Sequence, residues 1–360
     1  MIKVKADFVE YTLDFKFEAG TSRGVLTKKR TFFLRLHHVD QPNMIGLGEC
    51  GPLDKLSIDD LPNLSKVIAA TCQKLNDKKL PRDKEEVYSL AKEVVSEQYP
   101  ALRFAVETAL LDLINGGKRI VFDNAFSQGK TPIPINGLIW MGKEDFMLQQ
   151  IEQKLKDGYS CIKMKIGAID FDTECKLLGM IRERFSAKDI VLRVDANGAF
   201  APDEALQKLK RLATYDLHSI EQPIKQGQIE QMAALCAVTP VPIALDEELI
   251  GVHSILEREN LLRQIKPQYI ILKPTLVGGL AACEEWIALA EEQQIDWWIT
   301  SALESNIGLN AVAQFTAQYP IDKPHGLGTG QLYHNNIPAP LSIDKGHLYQ
   351  KGNWDLSRIL

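Results

Sequence analysis

The 360-residue chain contains no apolar run near the roughly 20 residues that a membrane-spanning helix needs. Its first residues, Met1-Ile2-Lys3-Val4-Lys5-Ala6-Asp7, lack the apolar core of a secretion signal, so a cytoplasmic protein with no membrane partner is expected. Basic blocks are missing as well. Lys+Arg number 42 against 47 Asp+Glu, a formal net charge of -5, and no cluster or stripe follows a phosphate backbone, which excludes nucleic acid as an expected partner. The six cysteines include no CxxC pair and several lie in apolar runs, so they read as reduced core residues rather than a disulfide framework or zinc site. No GxGxxG opens a helix after a first strand, which argues against an open dinucleotide-binding sheet. The seven histidines show no pairing that suggests catalysis.

What is present is a change of rhythm. Alternating strands are predicted over 4–17, with Tyr11, Leu13, Phe15 and Phe17 on one face, and over 31–38, joined by a loop at 19–26. After the glycine-rich Gly46-Leu47-Gly48-Glu49-Cys50-Gly51-Pro52, helical periodicity takes over, with helices expected near 59–75, 83–96 and 101–115. Such a block forms an α+β unit of its own, placed at 1–130. From 131 to 330, short apolar strands alternate with amphipathic helices at a spacing of roughly 25 to 30 residues, the βα unit of a barrel. Strands are expected at 133–139, 161–166, 190–195, 219–221, 242–246, 269–273, 297–301 and, more weakly, 326–329, where the last unit reads as degraded. The tail, about 331–360, is expected to return to the first unit. The fold class is therefore α/β, a modified (β/α)8 TIM barrel with an α+β capping domain.

One stretch stands out against the apolar background. Cys161-Ile162-Lys163-Met164-Lys165-Ile166-Gly167 reads as a strand covered on both faces, yet its two lysines project from the same side. Burying two ammoniums side by side calls for anionic partners or a proton-transfer role; an edge strand with a solvated lysine face is the plain alternative. Downstream residues favour the first. Asp195, Glu221, Asp246 and Lys273 each end a predicted strand, and in a barrel those ends meet at one mouth. Three carboxylates in one site repel one another unless a cation holds them, and an all-oxygen set suits Mg2+ or Mn2+ rather than zinc. A lysine acts as a base at neutral pH when a second ammonium and a divalent cation destabilise its charged form. The set fits removal of a proton α to a carboxylate.

These residues carry a resemblance. The ordered set Lys163-Met164-Lys165, Asp195-Ala196-Asn197, Glu221-Gln222-Pro223, Asp246-Glu247 and Lys273-Pro274 resembles the enolase superfamily, in its muconate-lactonising subgroup, over nearly the whole chain. The resemblance implies Asp195, Glu221 and Asp246 as metal ligands, Lys165 as the proton-transferring base, Lys163 as its helper and Lys273 as a cation across the cavity. The seventh strand, Asp296-Trp297-Trp298-Ile299-Thr300-Ser301, lacks the histidine of mandelate-racemase-like members. Gly326-Leu327-Gly328-Thr329 lacks the DxD of dipeptide epimerases. What remains is similar to the o-succinylbenzoate synthases, in Ser22-Arg23-Gly24-Val25, in the run from Lys273 to Gly279 and in Ser301-Ala302-Leu303-Glu304-Ser305. That implies a small-molecule carboxylate substrate and metal-dependent dehydration; N-succinylamino acid racemases share much of the template. Substrate contacts are expected from Arg23 and Gly24, in a loop closing over the anion, and from Asn197, Ser301 and Leu303. Glu247 is expected to pair with a barrel lysine, Glu248 to be solvated, and Trp297 and Trp298 to pack; the oligomeric state stays open.

Overall fold

The computed structural model describes residues 3–21, 24–76 and 78–360. An antiparallel sheet comes first, ordered β1 (Val4–Thr21), β2 (Gly24–His38) and β3 (Gln41–Cys50). Two stretches differ from the sequence reading. Residues 19–21 and 24–26, expected within a loop, continue the strands: after a register shift between Asp14 and Ala19, Ala19 pairs with Leu26, Gly20 with Val25 and Thr21 with Gly24. Residues 46–50 of the glycine-rich stretch, expected to lead into helices, are part of β3 and pair with β2. Its glycines interrupt the alternation by which strands are recognised. They are there for packing, because a Cβ at Gly46 would overlap the Ala109 carbonyl oxygen and one at Gly48 that of Ala105.

Both carbonyls belong to a helix. Helices α1 (Leu64–Leu75), α2 (Lys84–Val94) and α3 (Pro100–Ile114) accompany this sheet. α1 begins at Leu64 rather than near Asp59, whose buried carboxylate instead accepts from the Ala101 amide at 2.8 Å, in the first turn of α3. α3 is buried on nearly every side because it is sandwiched between β3 and the short helix Pro274–Val277.

The single strand expected over 133–139 is two, β4 (Ile133–Pro134) and β5 (Gly137–Ile139). From β5 a parallel sheet runs in sequence order through β6 (Cys161–Lys165), β7 (Val191–Asp195), β8 (Ser219–Glu221), β9 (Ile243–Leu245), β10 (Tyr269–Leu272) and β11 (Asp296–Ile299). Between its strands lie α4 (Glu144–Lys156), α5 (Phe171–Arg184), α6 (Pro202–Leu212), α7 (Ile229–Val238), α8 (Ile255–Ile265), α9 (Pro274–Val277) and α10 (Leu280–Glu292), with α11 (Asn306–Thr316) after the last. Covered by helices outside and filled by side chains inside, these strands have the apolar character that parallel sheets require.

The sheet curls until its edges are joined by two residues. His325 N donates to Pro134 O at 2.9 Å and Asn136 N to His325 O at 3.0 Å; Gly326 N donates to Ile299 O at 2.9 Å and Ser301 N to Gly326 O at 3.0 Å. The weak strand expected at 326–329 is thus reduced to a pair of bridges, and 328–331 is a 3-10 helix. In the tail, β12 (Leu341–Asp344) and β13 (His347–Gln350) form a hairpin whose second strand pairs with β4. Ile337 and Ile359 pack with Phe33 and Leu47 of the first sheet. On the Ile337 and Ile359 contacts we propose the division into a capping unit, 1–130 with 331–360, and a barrel, 131–330, to whose β4 the hairpin of the tail is also paired.

Candidate active site

Register sets what faces the barrel interior. Lys163 pairs with Arg193 and Lys165 with Asp195 across β6 and β7, and Asp195 pairs with Glu221 across β7 and β8. Paired residues of parallel strands project to the same side, so these five lie on one face while Met164, Val194 and Ile220 lie on the other. Extending the alternation by two residues brings Asp246, after β9, and Lys273, after β10, to the same mouth.

There the ammoniums and carboxylates interlock. Lys163 Nζ donates to Glu221 Oε2 at 2.6 Å and to Asp195 Oδ2 at 3.3 Å. Lys165 Nζ donates to Asp195 Oδ2 at 3.1 Å and to Asn197 Oδ1 at 2.8 Å. Lys273 Nζ donates to Asp246 and stands 3.6 Å from Glu221 Oε1. Asp195, Glu221 and Asp246 are all buried. Burial opposes charge on Asp195, but Lys165, Lys163 and Lys273 outweigh it and hold the carboxyl below its ordinary range. Glu221 goes the other way: burial, reinforced by Asp195 and Asp246, raises it to about 7. Burial also disfavours the ammoniums of Lys163 and Lys273, yet the carboxylates around them keep both above the ordinary lysine value.

Three non-glycine residues at this rim have left-handed backbones: Asn197 (φ 44°), Gln222 (φ 39°) and Leu303 (φ 62°). Asparagine tolerates that conformation; the other two are held by their surroundings. The Gln222 side chain accepts from Asp246 N at 3.2 Å and donates to Glu248 Oε2 at 3.0 Å. The Leu303 carbonyl accepts from Tyr333 Oη at 2.7 Å. Glu248, expected to be solvated, is therefore buried, because Gln222 and the Gly227 amide, at 2.8 Å, both donate to it. Glu247, expected beside a lysine, is one of the charges that favour the Lys273 ammonium; it also accepts from Asn197 Nδ2 at 3.1 Å and adds a fourth buried carboxylate to the mouth.

A cavity of about 360 Å³ opens above this cluster, within the range of small-molecule sites. Lys163, Lys165, Lys273, Asp195 and Asn197 line its base, Ser301 and Leu303 a wall, and Gly24, Val25 and Leu26 of the first sheet line it as well. Glu221 and Asp246 are not in the lining; they sit against Lys163 and Lys273. Arg23 lies outside the described residues. The sequence reading missed Leu53, Lys55, Trp140, Thr300 and Thr329, which also line the cavity. Leu53 and Lys55 come from an irregular segment with no period, and Thr300 would have been found by continuing the alternation of β11. Neither Trp297 nor Trp298 lines it; Trp297 packs on Tyr319 and Trp298 on Tyr269.

As they stand, no three acidic, histidine or cysteine side chains among the described residues form a ready-made metal cage. Lys163 and Lys273 occupy the positions between the carboxylates. The donor set nevertheless fits a hard divalent cation: four buried carboxylates face three ammoniums, and every donor is oxygen. Glu221 Oε1, buried and without a hydrogen bond, points to the same need.

Comparison with known proteins places this geometry. The model of the enolase C-terminal domain-like family matches residues 147–352. An o-succinylbenzoate synthase of Desulfotalea psychrophila is 49% identical over 357 residues, covering 93% of this chain and 96% of that protein. A crystal structure of MenC from Desulfotalea psychrophila LSv54 superposes with a TM-score of 0.86 at 45% identity, covering 96% of this chain and 99% of that one. A muconate lactonizing enzyme from Pseudomonas fluorescens shares the fold, with a TM-score of 0.80 at 19% identity over 98% of this chain and 95% of its own. A barrel mouth of strand-final lysines and carboxylates under an α+β cap, in a sequence so matched, means that the chain belongs to the enolase superfamily, in its muconate-lactonising subgroup.

Proposed function

We propose that the chain is a carbon–oxygen lyase that removes water, syn, from 2-succinyl-6-hydroxy-2,4-cyclohexadiene-1-carboxylate to give o-succinylbenzoate for menaquinone biosynthesis. The observation that carries this reading is one cavity with Lys165 and Lys273 at its base above buried carboxylates, in a chain 49% identical along most of its length to a protein of that activity.

Asp195, Glu221 and Asp246 would hold Mg2+, or Mn2+, which when bound supplies positive charge beside the substrate carboxylate. Lys165 takes the proton from the ring carbon α to that carboxylate. The electron pair left behind then forms the new ring double bond as the C–O bond breaks, and Lys165 returns its proton to the departing hydroxyl. One lysine serves both transfers because both groups leave from one face. Lys163 helps to bind the carboxylate, and Lys273 sets its charge against the ring, where a cation beside a π-system contributes about 1 to 2 kcal/mol. Asn197, Ser301, Leu303 and Gly24, with Arg23, are assigned to substrate contact. A cytoplasmic location is part of this proposal. Among the described residues no helix is long and apolar enough to cross a membrane.

A second reading, N-succinylamino acid racemase, draws on one observation: Lys165 and Lys273 reach the same cavity from different strands, as two-base inversion requires. Assaying the purified protein with the cyclohexadiene precursor and with N-succinyl amino acids separates the two. Dehydration that stops with EDTA and returns with Mg2+ is expected. Absence of dehydration, with deuterium uptake and inversion at Cα, overturns the proposal.

A further inference from the structure

Two motifs far apart in sequence, the glycine-rich one around Glu49 and the run from Ser301 to Ser305, meet inside the molecule. Glu49 sits on β3 with no exposed surface, and its carboxylate crosses into the barrel. Its Oε1 accepts from Thr31 Oγ1 and from Ser305 N, each at 2.9 Å. Its Oε2 accepts from Ser305 Oγ at 2.6 Å and from Gly308 N at 2.9 Å. Ser305 immediately precedes α11, so a carboxylate from the capping sheet closes the first turn of a barrel helix. Position 308 has room only for glycine there, since a Cβ would stand 2.7 Å from that of Glu304 and 2.9 Å from Glu49 Oε2. Lys29 approaches the same spot from β2: a Cβ at Gly51 would stand 2.7 Å from its Nζ and 3.2 Å from Glu49 Oε1.

The neighbouring Glu304, equally buried, faces the other way. It accepts from Thr275 Oγ1 at 2.6 Å and from Ser301 Oγ at 2.5 Å, and Ser301 Oγ lies 2.7 Å from Thr329 Oγ1. Ser301 and Thr329 line the cavity, and Thr275 is two residues beyond Lys273. The wall at 301–305, with the left-handed Leu303 at its centre, is thus tied down at one end by Glu304 and at the other by Glu49. All four atoms on the Glu49 carboxylate can donate, so an amide in its place sets an NH2 against donors. Such a mismatch at a buried position is costly.

We propose that Glu49 is a positioning residue: it fastens the capping sheet to the wall at 301–305 and thereby sets where Ser301 and Leu303 meet the substrate. The kinetic part rests on the dehydratase reading above. Glu107 provides the internal control. It also holds a barrel helix, accepting from Leu280 N at 2.5 Å in the first turn of α10, but it does not line the cavity or touch its wall. Burial raises its carboxyl to about 8, so an amide there resembles the group already present.

The test compares Glu49→Gln, Ser305→Ala, their combination and Glu107→Gln at a temperature where each is folded by circular dichroism. Glu49→Gln should lower kcat/KM roughly tenfold or more, mainly through KM, with Mg2+ affinity unchanged. Ser305→Ala should lose less, and the double variant should be no worse than Glu49→Gln alone, because the two residues act as one unit. Glu107→Gln should keep native kinetics. Hydrogen exchange of the amides at 301–308 should quicken in Glu49→Gln and Ser305→Ala but not in Glu107→Gln, and this readout stands even if the dehydratase reading fails. If Glu49→Gln does not fold, Ser305→Ala decides by the same two measurements. Native kcat/KM with a lowered melting temperature, or unchanged exchange at 301–308, would overturn the proposal.

Discussion

At the mouth of the barrel, buried Lys163 and part-buried Lys165 and Lys273 meet carboxylates. At its floor, two residues earlier on β7 than Asp195, Arg193 is fully buried and is met by a carbonyl and a ring. Its Nη1 donates to Pro324 O at 2.8 Å, and its guanidinium lies 4.1 Å from the centre of the Trp298 ring. Trp298 packs on Tyr269, and His218 stacks on Tyr269 at 5.0 Å. Planar and weakly hydrated, a guanidinium accepts an aromatic face where an ammonium would need anions. Burial first, then the Arg193 charge, lowers His218 to about 4 and His325 to about 3, so both stay neutral beside it. The difference teaches where chemistry can occur. Ammonium–carboxylate contacts at the mouth can be exchanged when a metal ion or an anionic substrate enters, whereas the floor is a fixed plug.

If that division holds, changes at the mouth remove turnover and spare the fold, and changes at the floor do the opposite. The largest effect is expected from Lys165→Arg, which keeps a cation that cannot deprotonate at neutral pH. Turnover should fall by about a thousandfold or more with an unchanged circular dichroism spectrum, and residual activity near native would remove Lys165 from the proton path. Glu221→Gln takes away one anionic oxygen; calorimetry should show Mg2+ binding weakened roughly tenfold or more, with a large fall in kcat. Native activity in that variant without added metal would break the ligand assignment. Lys273→Arg keeps the charge in place and should retain more activity than Lys165→Arg. Equal losses, together with inversion of an N-succinyl amino acid, would favour two-base chemistry.

At the floor, Trp298→Leu removes the ring under Arg193 and leaves a void. Stability measured by urea unfolding should drop by about 2 to 4 kcal/mol while kcat/KM of the folded protein stays within about twofold. The smallest effect concerns pH. His218 is lowered in the folded state from an ordinary 6.5 to about 4, so as pH falls through that interval the unfolded chain takes up the proton first and stability is lost. A melting temperature followed from pH 7 to 4 should decline, and His218→Phe, which keeps the stack on Tyr269, should make the decline shallower. An identical slope would mean that other groups set it.

The sequence by itself determined the order of the parts: lysines two apart on one strand, carboxylates at strand ends and the βα spacing of a barrel. Each is a local property, because strand alternation and helix period act over a few residues. Only the tertiary structure decided that a glycine-interrupted stretch is β3, since glycine was needed there by a helix more than fifty positions later. The same holds for the burial of Glu248 and for the meeting of Glu49 with Ser305, 256 residues away. Charges and glycines of this kind get their meaning from partners that chain neighbours do not predict: a buried carboxylate is stable only where distant donors converge on it, and that convergence exists only once the cap and barrel have packed.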